Sequence, residues 1–282
     1  MSMQNFRRRI GLIVADAGGQ ALDLSGFRVV FTVEKTAAEE PNTAKIDISN
    51  LSDTTSARLT TGELTRIILQ AGYEGRVSVL FDGQITAATR TRDGADFTTA
   101  LDAGDGAKAY TYAVVSQSLA SGYSQADVAR AASAAMSGKG TRGEDLVAVD
   151  SATKFPRGRV IFRSARDAAR DIARSSECQW SIQDGRVVFC RTKKVLGESQ
   201  GFLLSPASGM IGSPVVDADG VTVRCCLNPA LKIYDPIRIE SRYVKGTYKI
   251  LSVKHTGDTH GADWTTELKC VALDPTTGEA KK

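Results

Sequence analysis

Alternating apolar and polar residues dominate the first third of the chain. In GFRVVFTVEKT, Phe27, Val29, Phe31 and Val33 stand at every second position. A period of two places such side chains on one face of a β-strand. The segments AKIDISN, RIILQAGY and RVSVLFDGQI continue strand-like patterns. We therefore predict about five to seven short strands in this region, as in a sandwich or barrel.

Turn-forming residues separate these strands. Pro41 and Asn42 predict a bend between the first two strands, and a short helix is expected through residues 57–59. Asp82-Gly83 and Asp93-Gly94 have the composition of tight hairpin turns, because aspartate and glycine tolerate positive φ angles. Each of these two dipeptides is predicted to reverse the chain.

The middle of the chain changes to helical spacing. The alanine-rich segment SQADVARAASAAM begins at Ser124, and Asp127 follows at the third helical position, a pattern typical of a capping box. Val160 to Phe162 predicts a strand, and Ser164 caps a second helix. Asp184-Gly185 then predicts the turn of a closing hairpin. These features indicate a small α/β insert.

The last third returns to strand patterns. YKILSVK and DWTTELKCVAL are predicted to pair, with Trp264, Thr266 and Leu268 on one face of the second strand. No short-period repeat is apparent. The fold class is therefore mainly β with an α/β insert, and we expect domains at residues 1–105, 106–200 and 201–282.

Composition narrows the class of protein. The 282 residues are 42% hydrophobic and carry a formal net charge of +4, which suits a globular protein and falls short of a dedicated nucleic-acid binder. Arg7 to Arg9 precede an apolar stretch that is too short for a signal peptide, and we predict that these arginines form the solvated edge of a first strand. We expect no membrane span. The five cysteines lack C-x-x-C spacing, which favours buried thiols.

The segment VKHTGDTHGADW contains both histidines of the chain. His255, Asp258 and His260 are candidate metal ligands because imidazole and carboxylate groups can converge on one ion. Their spacing matches neither H-E-x-x-H nor the usual zinc arrangements. We therefore favour a polar loop between two antiparallel strands, and keep the three residues as weak metal candidates.

Other catalytic signatures are missing from the sequence. The glycine-rich SGKGTRGED carries Lys139 and Arg142 but lacks the order of a P-loop, so a mobile surface loop is expected. The chain contains no G-x-S-x-G motif and no evident pair of acid and base carboxylates. We predict no catalytic residues and no cofactor.

The ordered set of segments resembles the tail hub, or baseplate hub, proteins of long-tailed bacteriophages. FTVEKTAAEEPNTAKIDISNLSD is similar to the opening strands of that family, and RVIFRSARDAARDIARSSECQWSIQDGRVVF to its middle α/β unit. GMIGSPVVDADGVTVRCCLNPALKIYDPIRIES and GTYKILSVKHTGDTHGADWTTELKC look like its C-terminal β domain. The resemblance covers residues 27–272.

The resemblance implies two β-barrel-like domains of tail-tube type flanking a small α+β middle domain. It further implies a structural virion protein, not an enzyme, that forms a homotrimeric ring at the tail tip or baseplate. Two related β domains per subunit would let three subunits match a sixfold tube on one side and a threefold spike or fibre on the other, around a DNA channel. The implied partners are a tail tube or distal tail protein, a central spike or tail fibre protein and the tape measure protein, with transient passage of DNA. Assembly in the cytoplasm of the bacterial host is expected.

Two other functions remain open on the residues alone. The first is a metal-dependent hydrolase that uses His255, Asp258 and His260. The second is a monomeric carbohydrate-binding module, which β-rich regions without catalytic signatures would also suit.

Overall fold

A computed structural model of the chain describes residues 7–146, 148–196, 201–274 and 279–280. The fold is mainly β with a helical insert in the middle, which confirms the predicted fold class. The N-terminal region comprises β1 (Arg8–Asp16), β2 (Ala21–Asp23), β3 (Val29–Thr36), β4 (Thr43–Ser49), α1 (Asp53–Thr60), β5 (Leu64–Tyr73), β6 (Arg76–Asp93) and β7 (Asp96–Gly104).

The insert and the C-terminal region complete the chain. The middle region comprises α2 (Ala107–Tyr112), β8 (Val114–Leu119), α3 (Gln125–Met136), β9 (Gly143–Asp145), β10 (Arg159–Ser164), α4 (Ala165–Ser175), β11 (Cys178–Gln183) and β12 (Arg186–Arg191). The C-terminal region comprises β13 (Phe202–Leu204), a 3-10 turn (Pro206–Ser208), β14 (Met210–Asp217), β15 (Gly220–Cys226), β16 (Pro236–Glu240), β17 (Lys245–Asp258) and β18 (Trp264–Ala272). The predicted domain division near residue 105 stays a prediction, and the one near 200 falls at residues outside the described ranges.

Side-chain alternation places the strands as the sequence predicts. Val29, Phe31 and Val33 of β3 are buried, while Phe27 precedes the strand and is 38% exposed. The apolar residues of β4 face the same core, and Trp264 of β18 joins it. Burial of these side chains supplies the main stabilisation of the region, at about 25 cal/mol per Å² of apolar surface.

The helices of the insert begin where the capping residues predict. The backbone N–H of Ser124 donates to the Asp127 carboxylate at 2.8 Å, which closes the capping box of α3. Ser164 caps α4 by accepting a hydrogen bond from the backbone N–H of Asp167 at 3.3 Å. The apolar face of α4 includes Ile172 and packs with α3 in a separate hydrophobic cluster. This cluster forms the core of the insert.

The prediction of a hairpin at Asp82-Gly83 is wrong. Both residues lie inside β6 and pair with Ile68 and Ile67 of β5. A Cβ atom added at Gly83 would lie 2.6 Å from the ring of Phe81, so this glycine is required for close packing and not for a turn. The predicted turn at Asp93-Gly94 is confirmed, because β6 ends there and β7 begins at Asp96.

The glycine-rich segment 137–145 contains a short strand and contacts its neighbours through side chains. Its last three residues form β9, which pairs in parallel with β12. The guanidinium of Arg142 donates to the carboxylate of Asp82 at 2.5 Å, and Lys139 donates to the backbone carbonyl of Tyr112 at 2.7 Å. Arg142 thus attaches the insert to β6, and Lys139 bonds to the end of α2 within the insert. The mobility expected for this segment stays a prediction.

The two β regions repeat one strand order. In the N-terminal region the consecutive strands β3 to β7 lie side by side as β3-β4-β7-β6-β5. In the C-terminal region β14 to β18 lie as β14-β15-β18-β17-β16, and each neighbouring pair is antiparallel, as in the first set. We call these sets the N-terminal module (β3–β7) and the C-terminal module (β14–β18). Two copies of one topology therefore occur in this chain.

Local details of the modules also match. A bulge in β6 between Ile85 and Ala87 corresponds to a bulge in β17 between Ile250 and Ser252. The residues that open β7, DFTTAL at 96–101, correspond to DWTTEL at 263–268 in and before β18. Equivalent bulges and sequences indicate that the two modules are repeats of one unit.

The modules join edge to edge within a single sheet. The first strand of the N-terminal module, β3, pairs with β17 of the C-terminal module from Val30 opposite Asp258 to Thr36 opposite Ser252. Backbone hydrogen bonding therefore continues from one module into the other. The result is a sheet of 13 strands that runs through both regions.

Candidate functional site

His255 is a buried strand residue and not part of a loop. It lies within β17 opposite Val33 and Thr266, and its side chain is 2% exposed. The Nδ1 atom is 2.8 Å from the hydroxyl of Thr266. Burial, with a smaller contribution from Lys35, lowers the pKa of His255 to about 3, so the imidazole is neutral in the folded protein.

Asp258 is the last residue of β17, and His260 lies in the connection between β17 and β18. The Arg28 guanidinium donates to Asp258 at 2.9 Å, and this bond lowers the pKa of the carboxyl to about 2. Asp258 also accepts the backbone N–H of His260 at 2.8 Å, a local turn interaction. The imidazole of His260 is exposed and lies 2.9 Å from the hydroxyl of Thr259.

The side chains of the three candidate ligands therefore do not converge on one point. Within the described ranges, no group of three His, Cys, Asp or Glu side chains is placed to hold a metal ion. The loop is instead fixed by Arg8 of β1 and by Arg28, which directly precedes β3. Arg8 lies at the exposed start of β1, as predicted, and it also donates to the carbonyls of Gly261 and Ala262 at 2.6 and 2.9 Å.

The cysteines lie mainly in the packed interior. All five are free thiols, and four of them are buried. Burial raises the pKa of Cys225 and Cys270 to about 12, so these thiols are protonated and act as small apolar side chains. This agrees with the prediction made from their spacing.

A buried polar junction connects the insert to the N-terminal module. Asn42 donates to the carbonyl of Ile182 at 2.9 Å, and Gln183 donates to the carbonyl of Thr36 at 2.8 Å. Asp105, which is 2% exposed, accepts the backbone N–H of Gly185 at 3.0 Å. Burial raises the pKa of Asp105 to about 6. These bonds fix how the β11–β12 hairpin sits against the sheet.

The sheet face opposite the core is polar across both modules. Threonines such as Thr32 and Thr256 stand opposite each other on this face. The ammonium of Lys254 donates to Glu34 across the β3–β17 junction, and their charged atoms are 2.8 Å apart. Other charged residues of both signs follow the same face on neighbouring strands: Lys45, Asp47, Asp102, Arg224, Glu267 and Lys269. This face can contact a hydrated ligand without holding it strongly.

The two ends of the module pair have open strand edges. Within the described part of the chain, β14 pairs with β15 alone, and β6 beyond residue 85 pairs with β7 alone. Val215 and Val216 on β14 are 62% and 63% exposed. Unpaired backbone and exposed valines are typical of a surface that another strand covers.

These edges could not be predicted from the sequence. A strand is recognisable there as a local pattern, whereas an edge is defined by the absence of a neighbouring strand. The repeated D-[FW]-T-T-x-L sequence at 96–101 and 263–268 was the available signal, because two similar strands predict two similar modules.

A second exposed apolar surface lies on the insert. The antiparallel pair β8–β10 buries Ile161 against the helices and exposes Val160 and Phe162 by 77% and 79%. Among the described residues, no helix is long and apolar enough to cross a membrane.

Comparison with known proteins places the chain among phage tail components. The family model described as "Baseplate hub gp41" matches residues 9–270. No curated protein sequence is detectably similar to the chain.

Solved structures share the fold at low sequence identity. A tail protein from Neisseria meningitidis MC58 is 10% identical with a TM-score of 0.66, over 94% of this chain and 96% of that one. The 43 kDa tail protein of prophage MuSo2 from Shewanella oneidensis is 9% identical with a TM-score of 0.64, over 97% and 98% of the two chains. The E. coli c3393 protein, a component of the type VI secretion system, is 8% identical with a TM-score of 0.59, over 91% of this chain and 76% of that one. At such identities the likeness shows the fold alone.

Proposed function

The chain belongs to the baseplate hub gp41 family, and we propose that it forms a homotrimeric ring at the tail tip of a phage virion. One observation carries this proposal: the chain contains two modules of the same strand order, joined edge to edge in one sheet. Three such chains present six similar modules. A ring of this kind can meet a sixfold tube on one side and a threefold spike or tail fibre protein on the other.

The polar sheet face suits the wall of a channel for DNA. Its threonines and charges of both signs, including the Lys254–Glu34 pair, offer no concentrated positive patch. Strong phosphate binding requires clustered lysine and arginine, whereas a passing genome requires weak contacts. We assign this face to the channel side of the ring.

The remaining partners follow from the position of the ring. A tail tube or distal tail protein binds the sixfold side, and the spike or fibre protein and the tape measure protein lie on or within the channel axis. Assembly takes place in the host cytoplasm, and the protein then stays in the virion. This role is structural and requires no catalytic residue or cofactor. The side chains of His255, Asp258 and His260, which do not converge on one point, support that assignment.

Mass measurement in solution tests the proposal. We expect complexes of three 30.1 kDa chains, either for the protein alone or after mixing with the tail tube protein of its own phage. A monomer under both conditions would overturn the ring. A monomer that binds oligosaccharides would indicate the carbohydrate-binding alternative, and stoichiometric metal that is lost in His260→Ala would indicate the hydrolase.

A further inference from the structure

The contact between the two modules of one chain shows how a third module can be added. On one edge of β17, the first residues pair with β16 and residues 252–258 pair with β3. The strand β17 therefore extends beyond β16. The backbone edge of β17 that β16 does not reach pairs with β3. The first strand of one module thus pairs with the extended fourth strand of the other.

The equivalent edge of the N-terminal module has no such partner. β6 pairs with β5 through residues 76–84, next to the start of β5 at Leu64, while β6 continues to Asp93 along β7. Within the described ranges, the β5-side edge of residues 86–93 has no strand beside it. This is the position that β3 fills on β17.

The strand that can fill this position is β14, at the other end of the sheet. β14 is the counterpart of β3 in the C-terminal module, and no described strand lies along its outer edge. Val216 of β14 stands opposite Val221, as Val33 of β3 stands opposite Ala44. Val33 is 0% exposed in the core beside the β17 ladder, whereas Val216 is 63% exposed.

We propose that β14 of one copy pairs antiparallel with the open edge of β6 in a second copy, by the geometry of the β3–β17 ladder. This inference rests on the proposed ring and identifies its interface between subunits. Every contact between neighbouring modules in the ring is then the same pair of strands, alternately within a chain and between chains. A heterologous interface of this kind forms a closed ring when the rotation between neighbouring subunits is a whole fraction of 360°.

The internal ladder also gives the register. β6 and β17 are equivalent at their bulges, so Arg90 corresponds to His255 and Thr91 to Thr256. Since His255 pairs with Val33 and Thr256 with Thr32, Arg90 should stand opposite Val216 and Thr91 opposite Val215 of the neighbouring copy.

An irregular segment in β14 limits which strands can pair with its edge. Three residues, Gly212 to Pro214, form an irregularity between the paired positions Ile211 and Val215. Proline lacks an N–H donor, and an irregular edge cannot extend a regular ladder with an arbitrary strand. A short ladder over residues 215–217 is thus available to a partner with a matching surface.

Disulfide trapping tests this register. We expect the double variant Thr91→Cys with Val215→Cys to give, on mild oxidation, a covalent product of three chains on denaturing gels, because each chain contributes one cysteine to each of two interfaces. Mixing the two single variants should give a covalent pair, which shows that the bond forms between chains. The matched control is Thr91→Cys with Val216→Cys, which should not cross-link, because a shift of one residue turns the side chain to the other face of the sheet.

The outcomes separate this inference from the ring itself. A trimer by mass in which the Thr91–Val215 pair fails to cross-link, or in which the control cross-links equally, would overturn the ladder and leave the ring. Cross-linked products that grow beyond three chains would support the ladder and overturn the closed trimer. A monomer that gives no covalent product, alone or with the tube protein, would overturn both.

Discussion

The N-terminal and C-terminal modules share their strand order but differ in what covers their first strand. β3 lies inside the sheet, between β4 and β17, and β14 lies at its end. The exposure of two equivalent valines differs accordingly, since Val33 is 0% exposed and Val216 is 63% exposed. The same structural position is therefore a core position in one module and a surface position in the other.

This contrast shows how a repeat can encode an assembly. Once two copies of a module join within a chain, the geometry of their contact is fixed by folding. The two outer edges remain complementary, because one belongs to β14, a first strand, and the other to β6, an extended fourth strand. A second chain can then satisfy the open edges by the contact that already exists inside the first.

The largest expected effect distinguishes the two valines directly. Val33→Lys should destabilise the folded chain by about 4 kcal/mol or more, because it buries an ammonium group without a partner. Val216→Lys should change the stability of the single chain by less than about 0.5 kcal/mol but abolish the trimer, because it places a second cation opposite Arg90 of the neighbouring copy. Denaturant unfolding and mass measurement check the two variants. If Val33→Lys does not fold, Val33→Thr and Val216→Thr provide the milder pair. Similar losses of stability at both positions would contradict the comparison.

Sequence patterns predicted the elements better than their arrangement. The alternation in β3 and β4 and the capping residues Ser124 and Ser164 act over a few residues, and the structure agrees with them. The β3–β17 ladder joins residues more than 200 positions apart, and no local pattern contains that information. Asp82-Gly83 was misleading for a related reason, because the close approach of the Phe81 ring, and not a turn, requires glycine at position 83.

The candidate site was predictable in part. The connection between β17 and β18 was expected from its glycines and aspartates. The assignment of His255 to that loop was wrong. Histidine is a polar residue type, so the pattern favoured a loop, but its ring is buried in β17 against Thr266.

The next effect concerns the insert, which the N-terminal module carries and the C-terminal module lacks. Asp105 has a folded pKa of about 6 against 3.8 for the free group. Its contribution therefore favours folding at low pH, and that contribution is lost as the pH rises from about 4 to 6, by roughly 3 kcal/mol in total. Asp105→Asn should thus be more stable than the parent at pH 7 by about 2 to 3 kcal/mol and nearly equal to it at pH 3.5. Urea unfolding at both values measures this, and a variant less stable at pH 7 would refute the assignment.

A smaller effect has the opposite pH dependence and belongs to the C-terminal module. His255 has a folded pKa of about 3 against 6.5 for the free group. Its burial therefore favours folding above pH 6.5, and this contribution is lost by about 1.4 kcal/mol for each pH unit below that value. His255→Asn keeps an acceptor near Thr266 and should lose less stability than the parent between pH 7 and pH 5, by about 2 kcal/mol. Equal losses in both proteins would show that His255 titrates normally.

The smallest effect lies in the hairpin loop, where an arginine from just before β3 reaches the C-terminal module. Arg28→Ala removes the partner of Asp258 and should lower the stability only slightly, since Arg28 is half exposed and its ion pair is screened by solvent. His260→Ala is the matched control, with an expected change below about 0.3 kcal/mol because its exposed ring bonds within the loop. A larger loss for His260→Ala than for Arg28→Ala would indicate a role of this histidine that its contacts do not explain.

The central claim is that strands of different copies join as β3 and β17 join within one copy. A cryo-electron microscopy reconstruction of the assembled tail tip, without imposed sixfold symmetry, tests it most directly. We predict six superposable modules around the channel, with β14 of each chain hydrogen-bonded to β6 of the next and Val216 opposite Arg90. A ring in which β14 remains solvent-exposed, or in which the chains meet through the β8–β10 surface instead, would contradict it.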